Sequence, residues 1–408
     1  MKRGSPELTA TLAQLADQHL RRVRRTVALD EDSDTRAGIR IDGRCLIDFS
    51  SNDYLGLARH PALATAMSDC ARSAGTGSGA SHMVTGHCVE HQRLEEQLAD
   101  FTGRERALLF STGYMANLAI ITTLAGKGES VLLDRLSHAS LIDAGLLSGA
   151  RFKRYAHCDA AAAETELTTS AQPVSVVATD GVFSMDGDVA PLDALARASR
   201  SHGAWFVVDD AHGLGVMGAN GRGSLEHFGL DSDDVPVLMG TLGKAFGTFG
   251  AFVAGASDLI ELLLQKARSY IYTTALPPPV AAASRQALQI AQREPWRRER
   301  LASLTRRFRT AALRNGVPLP AAGPLTPIQP VMLGSSEMAL TAQQELFEAG
   351  FCVVAIRPPT VPRGTARLRV TLSAAHTDEQ VDALADALGS VCARLGAIGA
   401  ATPAAICP

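Results

Sequence analysis

Residues 237–252 read VLMGTLGKAFGTFGAF, a stretch in which one lysine, Lys244, stands among glycines and apolar residues with no acidic residue inside it. The apolar run before the lysine, VPVLM (235–239), and the run after it, AFVAG (251–255), have the length and boundaries of buried strands. Similar runs recur upstream as ALLF (107–110), VLL (131–133), VSVVA (174–178) and WFVV (205–208), with helical patterns between them. This alternation predicts an α/β fold over residues 59–279, with a mostly parallel central sheet covered by helices on both faces.

Around that core the sequence sets two further parts. Residues 1–58 predict a helical segment, with an amphipathic pattern over 7–25, then a hairpin over 38–50 that turns at Asp42-Gly43. Residues 280–396 predict a smaller C-terminal α+β domain. It holds a long helix over 280–315, IQPVML, a helix capped by Gly350, the strand FCVVAI, the alternating ARLRVTL (366–372) and a last helix. Thr377 and Gln380 have the spacing of a capping box for that last helix. Residues 397–408 are expected to be a loose tail.

At 408 residues, 46% hydrophobic and 20% charged, the chain can bury a large core, and its formal net charge of −3 gives no field that would draw a polyanion. The basic run HLRRVRR (19–25) is followed, after TVAL, by the acidic DEDSD (30–34), so nucleic acid is not expected as a partner. No apolar run approaches the ~18 residues of a membrane span, and MKRGSPELTA lacks the apolar centre of a signal peptide, which places the protein in the cytoplasm. The seven cysteines (45, 70, 88, 158, 352, 392 and 407) contain no Cys-x-x-Cys pair and are read as buried small hydrophobes. No metal is expected.

Two glycine-rich readings fail. A P-loop needs glycine where this chain has Leu238 and serine or threonine where it has Ala245. GTGSGA (75–80) approximates a dinucleotide fingerprint, but the preceding ALATAMSDCARSA is helical in pattern and not a strand. Ligands of open α/β sheets bind beyond the carboxyl ends of the strands, and there the polar residues collect. ALLF leads to Gly113 and Tyr114 at a helix start, VLL to His138, VSVVA to Ser184, WFVV to Asp209 and His212, and VPVLM to Thr241 and Lys244.

That set suits pyridoxal phosphate. An aldehyde needs an amine, a ring nitrogen needs a carboxylate, and a phosphate needs amides and hydroxyls. Each residue also has an ordinary use. A lysine after a strand can be a surface charge, Asp209 or Asp210 can cap the following turn, and His138 and His212 can be structural.

GTGSGASHMVTGHCVEHQRLE (75–95), DGVFSMDGDVAPL (180–192), VVDDAHGLGVMGANGRG (207–223), GTLGKAFGTFGAF (240–252) and IRPPTVPRGTARLRVTL (356–372) together resemble the α-oxoamine synthases, fold-type I pyridoxal-phosphate-dependent transferases. The resemblance runs from about residue 15 to 390. It implies that Lys244 holds the cofactor and moves the Cα proton, that Asp209 meets the ring nitrogen, that His138 stacks on the ring, and that His212 and Ser184 lie near its phenolic oxygen. Phosphate would be held by Gly113, Tyr114 and Thr241, and by Thr273 or Thr274 of the other subunit of a homodimer with shared active sites. Arg21, Asn52, Arg357 and Thr360 would bind substrate. The implied reaction joins L-alanine to a pimeloyl thioester, carried on CoA or acyl-carrier protein, with loss of CO2. A glycine-using member of the family and a non-catalytic regulator on the same fold are the alternatives. The chain departs from the family pattern at His82-Met83 and in GTFGAF, positions that the resemblance sets beside the acyl site.

Overall fold

The structure, a computed structural model, describes residues 5–30, 36–320 and 325–397. The tail expected from residue 397 falls outside this range beyond its first position. The described residues form two compact units, one of residues up to Ser51 together with those from Ala302 onward, the other Asn52–Leu301.

In the first unit the N-terminal helix spans Ser5–Asp17 and stops short of the expected 25. His19 takes a left-handed φ of 55°, and Leu20 N and Arg21 N both return to Leu15 O. Continuing the helix would also stack Arg21 against Arg24 and Arg25 at unfavourable like-charge spacings. The strands β1 (Val27–Leu29), β2 (Gly38–Ile41) and β3 (Arg44–Asp48) follow, with β2 and β3 forming the expected hairpin. Its turn residues Asp42 and Gly43 have φ of 51° and 78°, the pair of positive values that a tight hairpin turn requires.

The second unit is built on β4 (Arg106–Phe110), β5 (Ser130–Asp134), β6 (Arg151–Tyr155), β7 (Val174–Asp180), β8 (Trp205–Asp209), β9 (Val237–Thr241) and β10 (Ala251–Gly255). They form one sheet in the order β4-β10-β9-β8-β7-β5-β6, and only β10 runs antiparallel to its neighbours. Its direction follows from length. The β9–β10 connection, residues 242–250, is shorter than the dozen or so residues that a parallel crossover needs.

Strand residues alternate between two buried clusters. Val131, Leu133, Val176, Val207 and Val237 join one with helices Gly113–Leu124 and Ala139–Leu147, while Leu132, Val177, Phe206, Val208 and Leu238 join the other with Ala160–Thr169 and Leu192–Ser201. Each such side chain is worth about 1.5–3 kcal/mol over an exposed one, so both faces of the sheet must stay covered. The helix Pro278–Arg293 packs on Pro61–Ala74 and Val89–Thr102, which makes it part of this unit.

The expected single helix over 280–315 is two, Pro278–Arg293 and Trp296–Arg314, because Pro295 cannot continue a helix. FCVVAI likewise divides into β12 (Phe351–Cys352), which pairs parallel with β3, and β13 (Val354–Ile356), which pairs with β14 (Ala366–Thr371). β11 (Ile328–Gly334) completes that second small sheet. ARLRVTL alternates in sequence, yet every residue of β14 is buried, because the arginines of the strand are covered as well as its apolar face. The capping box at Thr377 and Gln380 forms, with bonds of 3.2 and 3.0 Å.

Of the cysteines, Cys70 and Cys392 are buried, Cys88, Cys158 and Cys352 are partly so, and Cys45 is exposed, against the expectation that all are buried; Cys407 lies outside the described residues. No helix among the described residues is long and apolar enough to cross a membrane.

Candidate active site

The expected residues of the larger unit sit where five parallel strands end. Asp209 and Thr241 are the last residues of β8 and β9, His138 caps the helix after β5, Ser184 lies in the loop after β7, and Gly113 opens the helix after β4. Lys244 is held by a tight loop in which Leu242 N reaches Gly250 O at 2.8 Å, Thr248 N reaches Leu242 O at 2.9 Å and Gly247 N reaches Lys244 O at 2.9 Å. Thr241 Oγ1 donates to Gly250 O at 3.0 Å.

From that loop the Lys244 amine lies 2.8 Å from His212 Nε2, and His212 Nδ1 lies 2.6 Å from the Tyr54 hydroxyl. The Tyr54 hydroxyl also lies 3.3 Å from Asn52 Oδ1. This file holds the Lys244 amine in place through His212 and Tyr54.

Gly247 allows the file to form. Its φ is 65°, and a Cβ there would stand 2.3 Å from Ala58 N, on the turn that follows Tyr54. Gly247→Ala is expected to cost at least about 1–3 kcal/mol in backbone strain alone and to push the lysine loop off this turn, checked by urea unfolding of the purified protein.

A second file anchors the carboxylate. Asn117 Nδ2 donates to Asp209 Oδ2 at 2.8 Å and to Ser140 Oγ at 2.8 Å, and Ser140 Oγ lies 2.7 Å from His138 Nδ1. Ala211 N donates to Asp209 Oδ1 at 3.1 Å, and Asp180 Oδ2 accepts from His138 N at 2.9 Å. Burial lowers the His138 pKa, the Asp209 charge raises it and the Lys244 charge lowers it again, which puts all three groups in one electrostatic neighbourhood. Burial likewise holds Asp180 well above the usual carboxylate range, and the Asp209 charge adds to the rise.

Asp210 does different work. It accepts from Ser224 N at 2.8 Å and Ser224 Oγ at 2.7 Å, and burial pushes it up to about 7. Gly213 and Gly223 both pass so close to its carboxylate that a Cβ would lie within about 2 Å of it. Asp210 therefore secures the 210–224 loop, while Asp209 faces the site.

The remaining expected residues are dispersed. Tyr114 turns its hydroxyl to Asp143 Oδ2. The amides of Gly113 and Tyr114 are first-turn donors, which a helix leaves without an intrahelical acceptor. Thr273 is partly buried and Thr274 exposed, just beyond the helix Arg268–Ile271. Arg21, Arg357 and Thr360 belong to the other unit. There Arg21 lines a pocket of about 890 Å³ with Leu12, Leu15, Leu20, Arg22 and Arg363, Arg22 donates to Thr360 Oγ1 at 3.0 Å, and Arg357 donates to His19 O. Sequence reasoning missed Tyr54, Asn117 and Ser140; an asparagine on the apolar stretch MANLAII of the helix Gly113–Leu124 was the one available signal.

Among the described residues, two groups bring candidate metal-ligand atoms within 4.8 Å of one another, His82 with His87 and His91, and Asp134 with His157 and Cys158. Protein partners already take both nitrogens of His91, Cys88 N at 3.0 Å and Leu276 O at 2.5 Å, and both nitrogens of His157 face carboxylates. His82, in the departing segment, stacks on Tyr270 with ring centroids 4.9 Å apart, and burial lowers its pKa to about 3.

The profile of the aminotransferase class I and II family matches residues 44–388. The chain is 58% identical to the 8-amino-7-oxononanoate synthase of Methylococcus capsulatus over 93% of its length and 96% of that protein. Among solved structures it resembles the serine palmitoyltransferase of S. paucimobilis with a bound PLP–myriocin aldimine (TM-score 0.89, 33% identity, 96% and 98% of the two chains). It also resembles the 8-amino-7-oxononanoate synthase of Francisella tularensis (TM-score 0.74, 34% identity, 86% and 98%).

Proposed function

Because this chain belongs to the aminotransferase class I and II family and groups with the 8-amino-7-oxononanoate synthases, we propose that it is a cytoplasmic pyridoxal-phosphate-dependent acyltransferase. The reaction is the decarboxylative condensation of L-alanine with a pimeloyl thioester, on CoA or acyl-carrier protein, giving 8-amino-7-oxononanoate, CO2 and the free thiol carrier for biotin synthesis.

The observation that carries this reading is geometric: Asp209 and His138, joined through Asn117 and Ser140, and Lys244, beside His212, all stand at the carboxyl ends of the parallel strands. The donor set fits pyridoxal phosphate: an amine for the aldehyde, a buried carboxylate for the ring nitrogen, an imidazole for the ring face, and a helix start with Thr241 for the phosphate. When bound, that cofactor supplies an electron sink for negative charge at Cα of the amino acid. Asp209, oriented by Asn117 and Ala211 N, keeps the proton on the ring nitrogen. Lys244 takes and returns the Cα proton, with His212 Nε2 2.8 Å from its amine to hold it in place. Thr273 or Thr274 would hold the phosphate of the neighbouring subunit, and the working form would then be a homodimer.

For the acyl donor, the 890 Å³ pocket joins leucines to cations, as a methylene chain ending in a carboxylate requires. Among the described residues Arg21, Arg22, Arg357 and Arg363 form no ion pair with a carboxylate. Arg21 takes the distal carboxylate of the acyl chain.

The test is mass spectrometry of the product from alanine or glycine with pimeloyl-CoA. Alanine is expected to give the nine-carbon amino-keto acid with release of CO2; productive use of glycine alone would reassign the enzyme within its family. Arg21→Ala is expected to raise KM for the thioester about 10–100-fold and leave KM for alanine in place, as loss of one charge-assisted hydrogen bond would.

A further inference from the structure

Beside the residues already assigned, a histidine is clamped between two carboxylates at the carboxyl ends of β5 and β6. His157 Nδ1 lies 2.9 Å from Asp134 Oδ1, and Nε2 lies 2.6 Å from Asp188 Oδ2. A carboxylate only accepts, so each nitrogen carries a proton and the ring is an imidazolium. Burial by itself depresses the basicity of His157, but its hydrogen bonds to Asp134, Asp188 and Cys158 carry the pKa up to about 12. The ring stands edge-on to Phe183 with centroids 4.4 Å apart.

The two carboxylates secure two different loops. Asp134 also accepts from Leu136 N at 2.7 Å and Cys158 N at 2.8 Å, and Ser137 N returns to Asp134 O at 3.2 Å, so the chain is pinned up to the residue before His138. Asp188 closes the loop that bears Ser184: Phe183 N reaches Asp188 O at 2.9 Å, Gly187 N reaches Phe183 O at 2.9 Å, and Val182 bridges to Val189. One ring thus ties the loop ending in His138 to the loop carrying Ser184. Lys153, on the same edge strand, offers a contrast, since its 2.8 Å pair with Glu166 joins the strand only to a covering helix.

We propose that His157 is a positioning residue: held between Asp134 and Asp188, it sets the spacing of the His138 and Ser184 loops and so the seat of the pyridoxal phosphate ring. The proposal rests on the reading of that pocket as the cofactor site.

The experiment compares purified wild type, His157→Ala, Asp188→Asn and Lys153→Gln as apoprotein titrated with pyridoxal phosphate. It reads the dissociation constant, the visible circular dichroism per bound cofactor, and the urea midpoint of the apoprotein. His157→Ala and Asp188→Asn are expected to raise the dissociation constant roughly 10–100-fold, the range for residues that orient a ligating group, and to diminish the dichroism of the cofactor they do bind. Lys153→Gln is expected to leave both within about twofold while shifting the urea midpoint by a similar small amount. Asp188→Asn keeps the Asp134 bond and stands in if His157→Ala does not fold. Wild-type affinity and dichroism in both clamp variants would overturn the proposal, as would losses no larger than those of Lys153→Gln. A wild type that takes up no pyridoxal phosphate would overturn the site reading itself, a result distinct from a clamp that does not matter.

Discussion

Lys244→Ala protein, supplied with pyridoxal phosphate, L-alanine and pimeloyl-CoA, is expected to form product at least about 10³-fold more slowly than wild type, within the span attributed to a positioned proton-transfer group. Among the described residues the geometry leaves no substitute. Lys244 is fixed by the bonds that close the 242–250 loop, and the other lysines of the chain are at positions 2, 127, 153 and 266. Lys153 pairs with Glu166 on the outer edge of the sheet, and Lys266 ends a helix. Because the side chain is only partly buried and its loop is held by backbone bonds, stability should move by less than about 0.5 kcal/mol. Borohydride treatment of the loaded protein followed by peptide mass spectrometry should tag position 244 in wild type and nothing in the variant. Turnover within tenfold of wild type, or a tag on another lysine, would contradict the assignment.

The second large effect separates two adjacent carboxylates. Asp209→Asn is expected to lower kcat by on the order of 10²–10³, the loss found when a preorganised electrostatic partner is removed, with the urea midpoint near that of wild type. The replacement leaves a single acceptor oxygen where two donors, Asn117 Nδ2 and Ala211 N, converge, so one of these two bonds is lost. Asp210→Asn should behave in the opposite sense. Its oxygens hold Ser224 and the glycine-lined 210–224 loop, so the urea midpoint falls first and turnover falls with it. If Asp210→Asn, and not Asp209→Asn, removed activity from stably folded protein, the roles given to the pair would have to be exchanged.

These contrasts also mark what could be read from the residues alone. The inner strands were legible because both their faces are buried and they appear as apolar runs; β6 was not, because RFKRY is an edge strand whose charges face outward. Lys244, Asp209, His138 and Ser184 were legible through topology, since parallel strands deliver their carboxyl ends to one side. Tyr54, Asn117 and Ser140 were hidden. Their bonds span long stretches of chain, as between Tyr54 and His212 or Asn117 and Asp209, and no local spacing records such a pair. The split of FCVVAI had the same cause, because its two halves answer to different sheets.

The parallel pairing of β3 with β12 has a consequence for synthesis. Ile47 lies beside Phe351, so the amino-terminal hairpin leaves the ribosome roughly 300 residues ahead of the strand that completes its edge, a delay of roughly 15–60 s at ordinary translation rates. Hairpins form in microseconds, so β3 spends that interval paired on one side with its other backbone edge open. The Asn52–Leu301 unit is contiguous in the chain and faces no such wait. Birth order therefore separates the two units: the part that carries Lys244 can close while the part that carries Arg21 still lacks four of its seven strands, β11 to β14.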